Sequence, residues 1–189
     1  MNERELTNIF NYYLSLENDF SKTSQYIEPR GQENVHSFEF SKLLILSCTE
    51  IEAVFKILCE EKEGKKCGNI REYKGAILKH FPKIVDAEVY IPRWAKQIRP
   101  FEGWDNGSLK WWKAYINVKH NRGTHFEDAT YENAVHALSA LYILILYLDK
   151  VFKIGLNIET SYILSDYTDK YIVDPPETPL PDFVETIAD

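Results

Sequence analysis

The stretch AVHALSALYILILYL, residues Ala134 to Leu148, decides how this chain folds. It holds 15 residues of almost unbroken apolar character, interrupted by His136 and Ser139. A bilayer crossing needs about 20 such residues, so the run reads as a buried core helix. Thr130 stands where an N-cap belongs, and Glu127, Asp128 and Glu132 gather near the positive end of the helix dipole. The expected helix continues to about Lys153.

Working outward, four more helical segments are expected. Leu6, Ile9, Phe10, Tyr13, Leu14, Leu16, Phe20 and Tyr26 keep mostly helical spacing over residues 4 to 26, with Pro29 and Gly31 beyond. Phe40, Leu44, Cys48, Ile51, Phe55 and Leu58 step by three or four and form an unbroken stripe, stopped by the charged run from Glu60 to Lys66. A short helix from Asn69 to His80 turns Tyr73, Ile77 and Leu78 inward and ends before Pro82. From Leu109 to about Arg122, Trp111, Tyr115 and Val118 form a stripe with Trp112 and Ile116 beside it, and Gly123 is the expected break. Val89-Tyr90-Ile91 and Gln97-Ile98-Arg99 read either as an edge hairpin or as an ordered loop, because Pro92 and Pro100 restrict them. The expected fold is therefore all-α, a bundle of about five helices with a short β-hairpin insert as an option. The domain spans residues 1–165, followed by an extended acidic tail, 166–189, with seven acids, one lysine and four prolines.

A chain of 189 residues with 44% hydrophobic content is the size of one domain with a real core. The N-terminal Met1-Asn2-Glu3-Arg4-Glu5 lacks the basic start and apolar run of a signal peptide, and three cysteines without a Cys-x-x-Cys pair fit reduced thiols. A cytoplasmic protein with no membrane association is expected. The net charge of −7 excludes a uniformly basic surface but conceals an asymmetry. Between Val89 and Phe126 seven bases, Arg93, Lys96, Arg99, Lys110, Lys113, Lys119 and Arg122, face two acids, Glu102 and Asp105. No acid at all occurs from Asn106 to Phe126. Such a segment can meet phosphates, or its lysines can pair with acids elsewhere. Trp111, Trp112 and Tyr115 read as core packing rather than a base-stacking platform. If the segment does bind phosphate, the acidic tail is its nearest internal competitor.

Within this window Lys119-His120-Asn121-Arg122-Gly123-Thr124-His125 concentrates four ionisable groups at an expected helix end. Lys119 and Arg122, three apart, share a face while the helix lasts. His125 lies just past the glycine, where an imidazole can move protons and cations can hold a phosphate. That set suits metal-free phosphodiester cleavage or nucleotide binding, with Lys119, His120, Asn121 and Arg122 as phosphate contacts. It equally suits a structural helix end, where Lys119 and Arg122 bond the last carbonyls. His120, His125, Glu127, Asp128 and His136 could ligate a metal, but no zinc spacing such as His-Glu-x-x-His occurs and cations adjoin. No metal and no cofactor are expected. Glu50 lies on a stripe with Leu43, Leu46, Val54 and Ile57, where an apolar residue belongs. It would need a cation, with Lys119, Arg122 or a histidine as candidates, or it lies at the bundle rim. Glu52, sharing a face with Thr49 and Lys56, reads as solvated.

The segment resembles the HEPN superfamily, helical bundles named for higher eukaryote and prokaryote nucleotide binding. That family carries an Arg, often with a polar residue after it, followed by a His before the last long core helix. Lys119-His120 with His125 matches this arrangement, the helix from Thr130 matches the closing helix, and Glu50 matches the acid many members carry earlier. The likeness covers about residues 35–152. It implies an RNA- or nucleotide-binding protein, with metal-independent endoribonucleases of toxin and phage-defence systems among the relatives. It also implies a homodimer with a composite site, and an antitoxin or another protein partner. In the catalytic version His125, Lys119, Arg122 and Glu50 form the site. The Arg position holds Lys119, which lacks the two-pronged grip of a guanidinium. Either Arg122 takes that role or the site is degenerate. The alternative is a non-catalytic helical interaction module.

Overall fold

A computed structural model describes residues 1–28, 30–91 and 96–157. The acidic tail, Arg93 and Pro92 lie outside the described residues. Five α-helices make up the body: α1 (Glu3–Thr23), α2 (Phe38–Glu63), α3 (Ile70–His80), α4 (Lys110–His125) and α5 (Tyr131–Phe152). The hairpin option is the one realised. β1 (Val89–Ile91) pairs antiparallel with β2 (Lys96–Ile98), Val89 opposite Ile98 and Ile91 opposite Lys96. Pro82 does not merely end α3. It opens a 3-10 turn, Pro82–Asp86, where its missing N–H costs nothing.

α5 is the axis of the molecule. Of its 22 residues, 16 are buried, on every side of the helix. It packs most extensively on α2, and also on α1 and α4. At 22 residues with a mean hydropathy of 1.6 it is long and apolar enough to cross a membrane, yet 72% of its apolar window is buried inside the protein. Each aliphatic side chain removed from water there contributes on the order of 2 kcal/mol. Thr130 caps the helix as expected, its hydroxyl accepting from Asn133 N at 3.1 Å.

The other helices start where local chemistry permits. Asn2 and Glu5 close a reciprocal capping box on α1 at 2.8 and 3.0 Å. Ser37 caps α2 by accepting from Phe40 N, and Asn69 caps α3. α2 ends at Gly64, whose φ of +65° takes the left-handed conformation that reverses the chain. α1 ends sooner than its apolar spacing suggested. Tyr26 lies beyond the helix and is 85% exposed.

One end of the bundle positions the candidate site. The lead-in to α2 is bonded to the lead-in of α5: Tyr131 N donates to Val35 O at 2.8 Å, and His36 bridges Thr130. Tyr131 then packs against Phe20 of α1 and Phe40 of α2, with ring centroids 5.4 and 5.5 Å away. α2 and α5 therefore start side by side. The tryptophans of α4 are core residues, as their spacing implied. Trp111 donates its indole N–H to Pro100 O at 2.7 Å, and Trp112 stands 6.1 Å from Phe55.

Candidate functional site

α4 does not break at Gly123. Its non-helical residue is Asn121, at φ −136° and ψ 39°, and the helix resumes through Gly123 to His125. Thr124 Oγ1 donates to Asn121 O at 3.2 Å, just past the kink. The kink falls between Lys119 and Arg122, so the shared face expected of them ends there.

Lys119 belongs to the α2 flank. Its ammonium donates to Tyr115 Oη at 2.7 Å and lies 3.7 Å from Glu52 Oε1, while Tyr115 Oη donates to the same carboxylate at 2.9 Å. The bond to Tyr115 and the nearby Glu52 hold the Lys119 ammonium above its ordinary range. Burial pushes the Tyr115 phenol up, and the fully buried Cys48 thiol beneath the group is pushed up for the same reason.

The carboxylate facing α4 is thus Glu52, not Glu50. Glu50 is half-buried, and burial pushes its carboxyl above the usual range. It acts electrostatically on Tyr12 of α1, and among the described residues it has no ion pair or hydrogen bond. The two acids are about 200° apart on a helix. Helical spacing separates their faces, but only packing decides which face meets α4.

His125 lies near the other flank. Its Nδ1 lies 3.7 Å from Asp128 Oδ2, which also accepts from Asn117 Nδ2 at 2.7 Å. Asn133 Nδ2 of α5 donates to the Asp128 backbone carbonyl at 2.9 Å. The carboxylate that would orient the imidazole is therefore fixed by two helices. Arg122 and His120 are exposed and make no hydrogen bond or ion pair among the described residues. The expected cluster separates into a Lys119–Tyr115–Glu52 group and a His125–Asp128–Asn117 group. No hydrogen bond or ion pair among the described residues joins them.

Sequence reasoning missed Tyr115, Glu52 and Asn117 as site neighbours, and gave Asp128 only dipole and metal roles. Asn117 and Asp128, both polar and flanking the motif, were the available signal. His136 stands apart. It is largely buried, and burial pulls its imidazole down to about 4, with Glu132 opposing and Lys96 and Lys110 reinforcing the fall. It is neutral at pH 7 and outside the α4 cluster. Among the described residues no group of three or more His, Cys, Asp or Glu side chains could hold a metal ion.

Most of the basic window is neutralised by acids from elsewhere. Lys96 faces Glu33 at 3.7 Å, Arg99 Nε bonds the buried Glu88 at 3.1 Å and Lys110 bonds Glu132 at 2.6 Å. With Lys119 held by Glu52, Lys113 and Arg122 are the described bases of this window without an acid within 4.0 Å. Beside the motif, Phe38 is 77% exposed, its ring 4.8 Å from Phe126, which meets His36 at 5.3 Å.

No protein-family model matches this chain, and no curated protein or solved structure matches it. The molecule is defined by its own architecture: an all-α bundle closed on one apolar helix, with a polar cluster where α4 ends.

Proposed function

We propose that this chain is a HEPN-like protein that binds RNA or a nucleotide phosphate at the kinked end of α4 and cleaves RNA without a metal ion. The observation that carries the reading is the His125–Asp128–Asn117 arrangement. A carboxylate fixed by a neighbouring amide lies 3.7 Å from a partly exposed imidazole, which it would orient for proton transfer once the two close to hydrogen-bond distance. His125 would take the proton of the 2′-hydroxyl or return one to the leaving oxygen. Arg122 and His120, exposed and unpaired among the described residues, would hold the phosphate, Arg122 supplying the planar grip that Lys119 lacks. Lys119 would contribute charge from its place beside Tyr115. Among the described residues the kinked end of α4 offers one arginine, Arg122, and the HEPN resemblance favours a homodimer with a composite site.

The test is incubation of single-stranded RNA with the protein in excess chelator, comparing wild type with His125→Ala and Asp128→Asn. Cleavage lost by about 100-fold in His125→Ala and reduced in Asp128→Asn is the expected result. Equal cleavage by all three, or none by wild type, rejects the catalytic reading.

A specific observation favours a second reading. Lys119 is committed to Tyr115 and Glu52, and the exposed Phe38 beside Phe126 offers an apolar surface. In this reading the polar cluster is structural and the molecule is an interaction module. Phe38→Ala would then abolish association with a partner chain, while RNA affinity stays undetectable in every variant.

A further inference from the structure

Two of the three cysteines lie at the junction of α2 and α3. Cys59 lies one turn before the end of α2, and Cys67 follows the left-handed reversal at Gly64. Both thiols are buried, Cys59 1% and Cys67 5% exposed, and they are near enough to act electrostatically on each other. The loop that carries Cys67 is held in place. Gly68 N donates to Glu72 Oε2 at 2.7 Å and Asn69 Nδ2 to Glu72 Oε1 at 2.8 Å. Cys67 also lines an open cleft of ≈ 210 Å³ with Glu63, Lys65, Glu72 and Lys79. A small oxidant therefore has a route to one sulfur of a preformed pair. Cys48 is different: it is 0% exposed in the core under Glu52 and Lys119.

We propose that Cys59 and Cys67 form a reversible thiol–disulfide site, oxidised by a peroxide that enters the cleft at Cys67. The Cys67 thiolate attacks one peroxide oxygen, the O–O bond breaks, and hydroxide takes up a proton to leave as water. The resulting Cys67 sulfenic acid is attacked by Cys59 Sγ. The S–S bond forms, the Cys59 proton goes to the departing hydroxyl, and a second water leaves. Both sulfurs are oxidised by one electron each, and the peroxide is reduced to two waters. Two equivalents of a small thiol such as glutathione reverse the step and are themselves joined as a disulfide.

The order of attack follows from the surroundings. Burial, the Cys67 contact and the carboxylates of Glu63 and Glu72 push the Cys59 thiol up to about 12, which makes Cys59 the resolving partner. The nearness of the two thiols at one junction supplies the proximity that a disulfide requires. The linkage would staple the end of α2 to the lead-in of α3.

The experiment uses the full chain, folded and reduced, exposed to hydrogen peroxide and then alkylated in denaturant. The expected result is a loss of about 2 Da and a linked pair of tryptic peptides, 57–62 with 67–71, reversed by glutathione. Cys48→Ala should form the link at an unchanged rate, and Cys67→Ser should form none. Three outcomes overturn the proposal. These are three free thiols after peroxide, Cys67 carried to sulfinic or sulfonic acid without a link, or a link that forms only when denaturant is present during oxidation.

Discussion

Glu50 and Glu52 sit two positions apart on α2 and end in opposite electrostatic situations. Glu52 accepts from Tyr115 at 2.9 Å and faces Lys119, whereas Glu50 is half-buried with no cation among the described residues. Glu52→Gln should therefore destabilise the protein by about 1 kcal/mol, because a charge-assisted bond is lost. Glu50→Gln should stabilise it by about 0.5 kcal/mol near pH 7, because an uncompensated charge is removed. A carboxyl whose folded pKa is raised loses stability as pH rises. The gain from Glu50→Gln should accordingly vanish in acid, and urea midpoints at pH 7 and pH 4 check both parts. His136 has the opposite sign. Its folded imidazole lies at about 4 against an unfolded value of 6.5, so between those values the unfolded chain binds more protons. Stability should fall by about 2 to 3 kcal/mol as pH drops from 7 to 4.5, and His136→Gln should remove that part of the slope. The imidazole resonances of His136 should not titrate above pH 5.5.

At the scale of the element, α4 tests how backbone conformation overrides residue propensity. Gly123 has no positive φ, and a Cβ built on it meets nothing within 4 Å. Gly123→Ala should therefore stabilise the protein by about 0.5 to 1 kcal/mol, through the unfolded chain's lost freedom. Gly64 is the contrast. Its φ of +65° closes α2 in the left-handed region, with open space around it. Gly64→Ala should cost about 1 kcal/mol through backbone strain alone. Thermal unfolding of the two variants in parallel checks the pair, and opposite signs are expected. The break at Asn121 could not be read from composition because glycine and asparagine both permit it.

For the whole molecule, the distribution of charge bears directly on any anionic partner. The window from Val89 to Phe126 carries seven bases, but Lys96, Arg99, Lys110 and Lys119 each face an acid from another part of the fold. Two described bases, Lys113 and Arg122, are left without an acid within 4.0 Å. Binding of single-stranded RNA should then show a slope of log affinity against log salt near −1.4 per chain, about 0.7 for each phosphate neutralised. Lys113→Ala and Arg122→Ala should each flatten the slope by about 0.7. Filter binding or fluorescence anisotropy from 50 to 300 mM salt would measure it. A slope near −5 would mean that the ion pairs open on binding and that the full window is used.

The sequence by itself determined the elements. Periods of three and four in apolar residues, the caps at Ser37, Asn69 and Thr130 and the reversal at Gly64 are local facts, governed by residues within one turn of each other. The all-round apolar run from Ala134 to Leu148 also determined the architecture, because such a helix must be enclosed by others. The tertiary structure alone decided the site. Whether Glu50 or Glu52 meets Lys119 depends on which face of α2 turns toward α4. Whether His125 lies beside Arg122 or beside Asp128 depends on where α4 departs from helical geometry, at Asn121 rather than at Gly123. Those outcomes come from packing between residues distant in sequence, where a rotation of one helix by half a turn exchanges one carboxylate for the other.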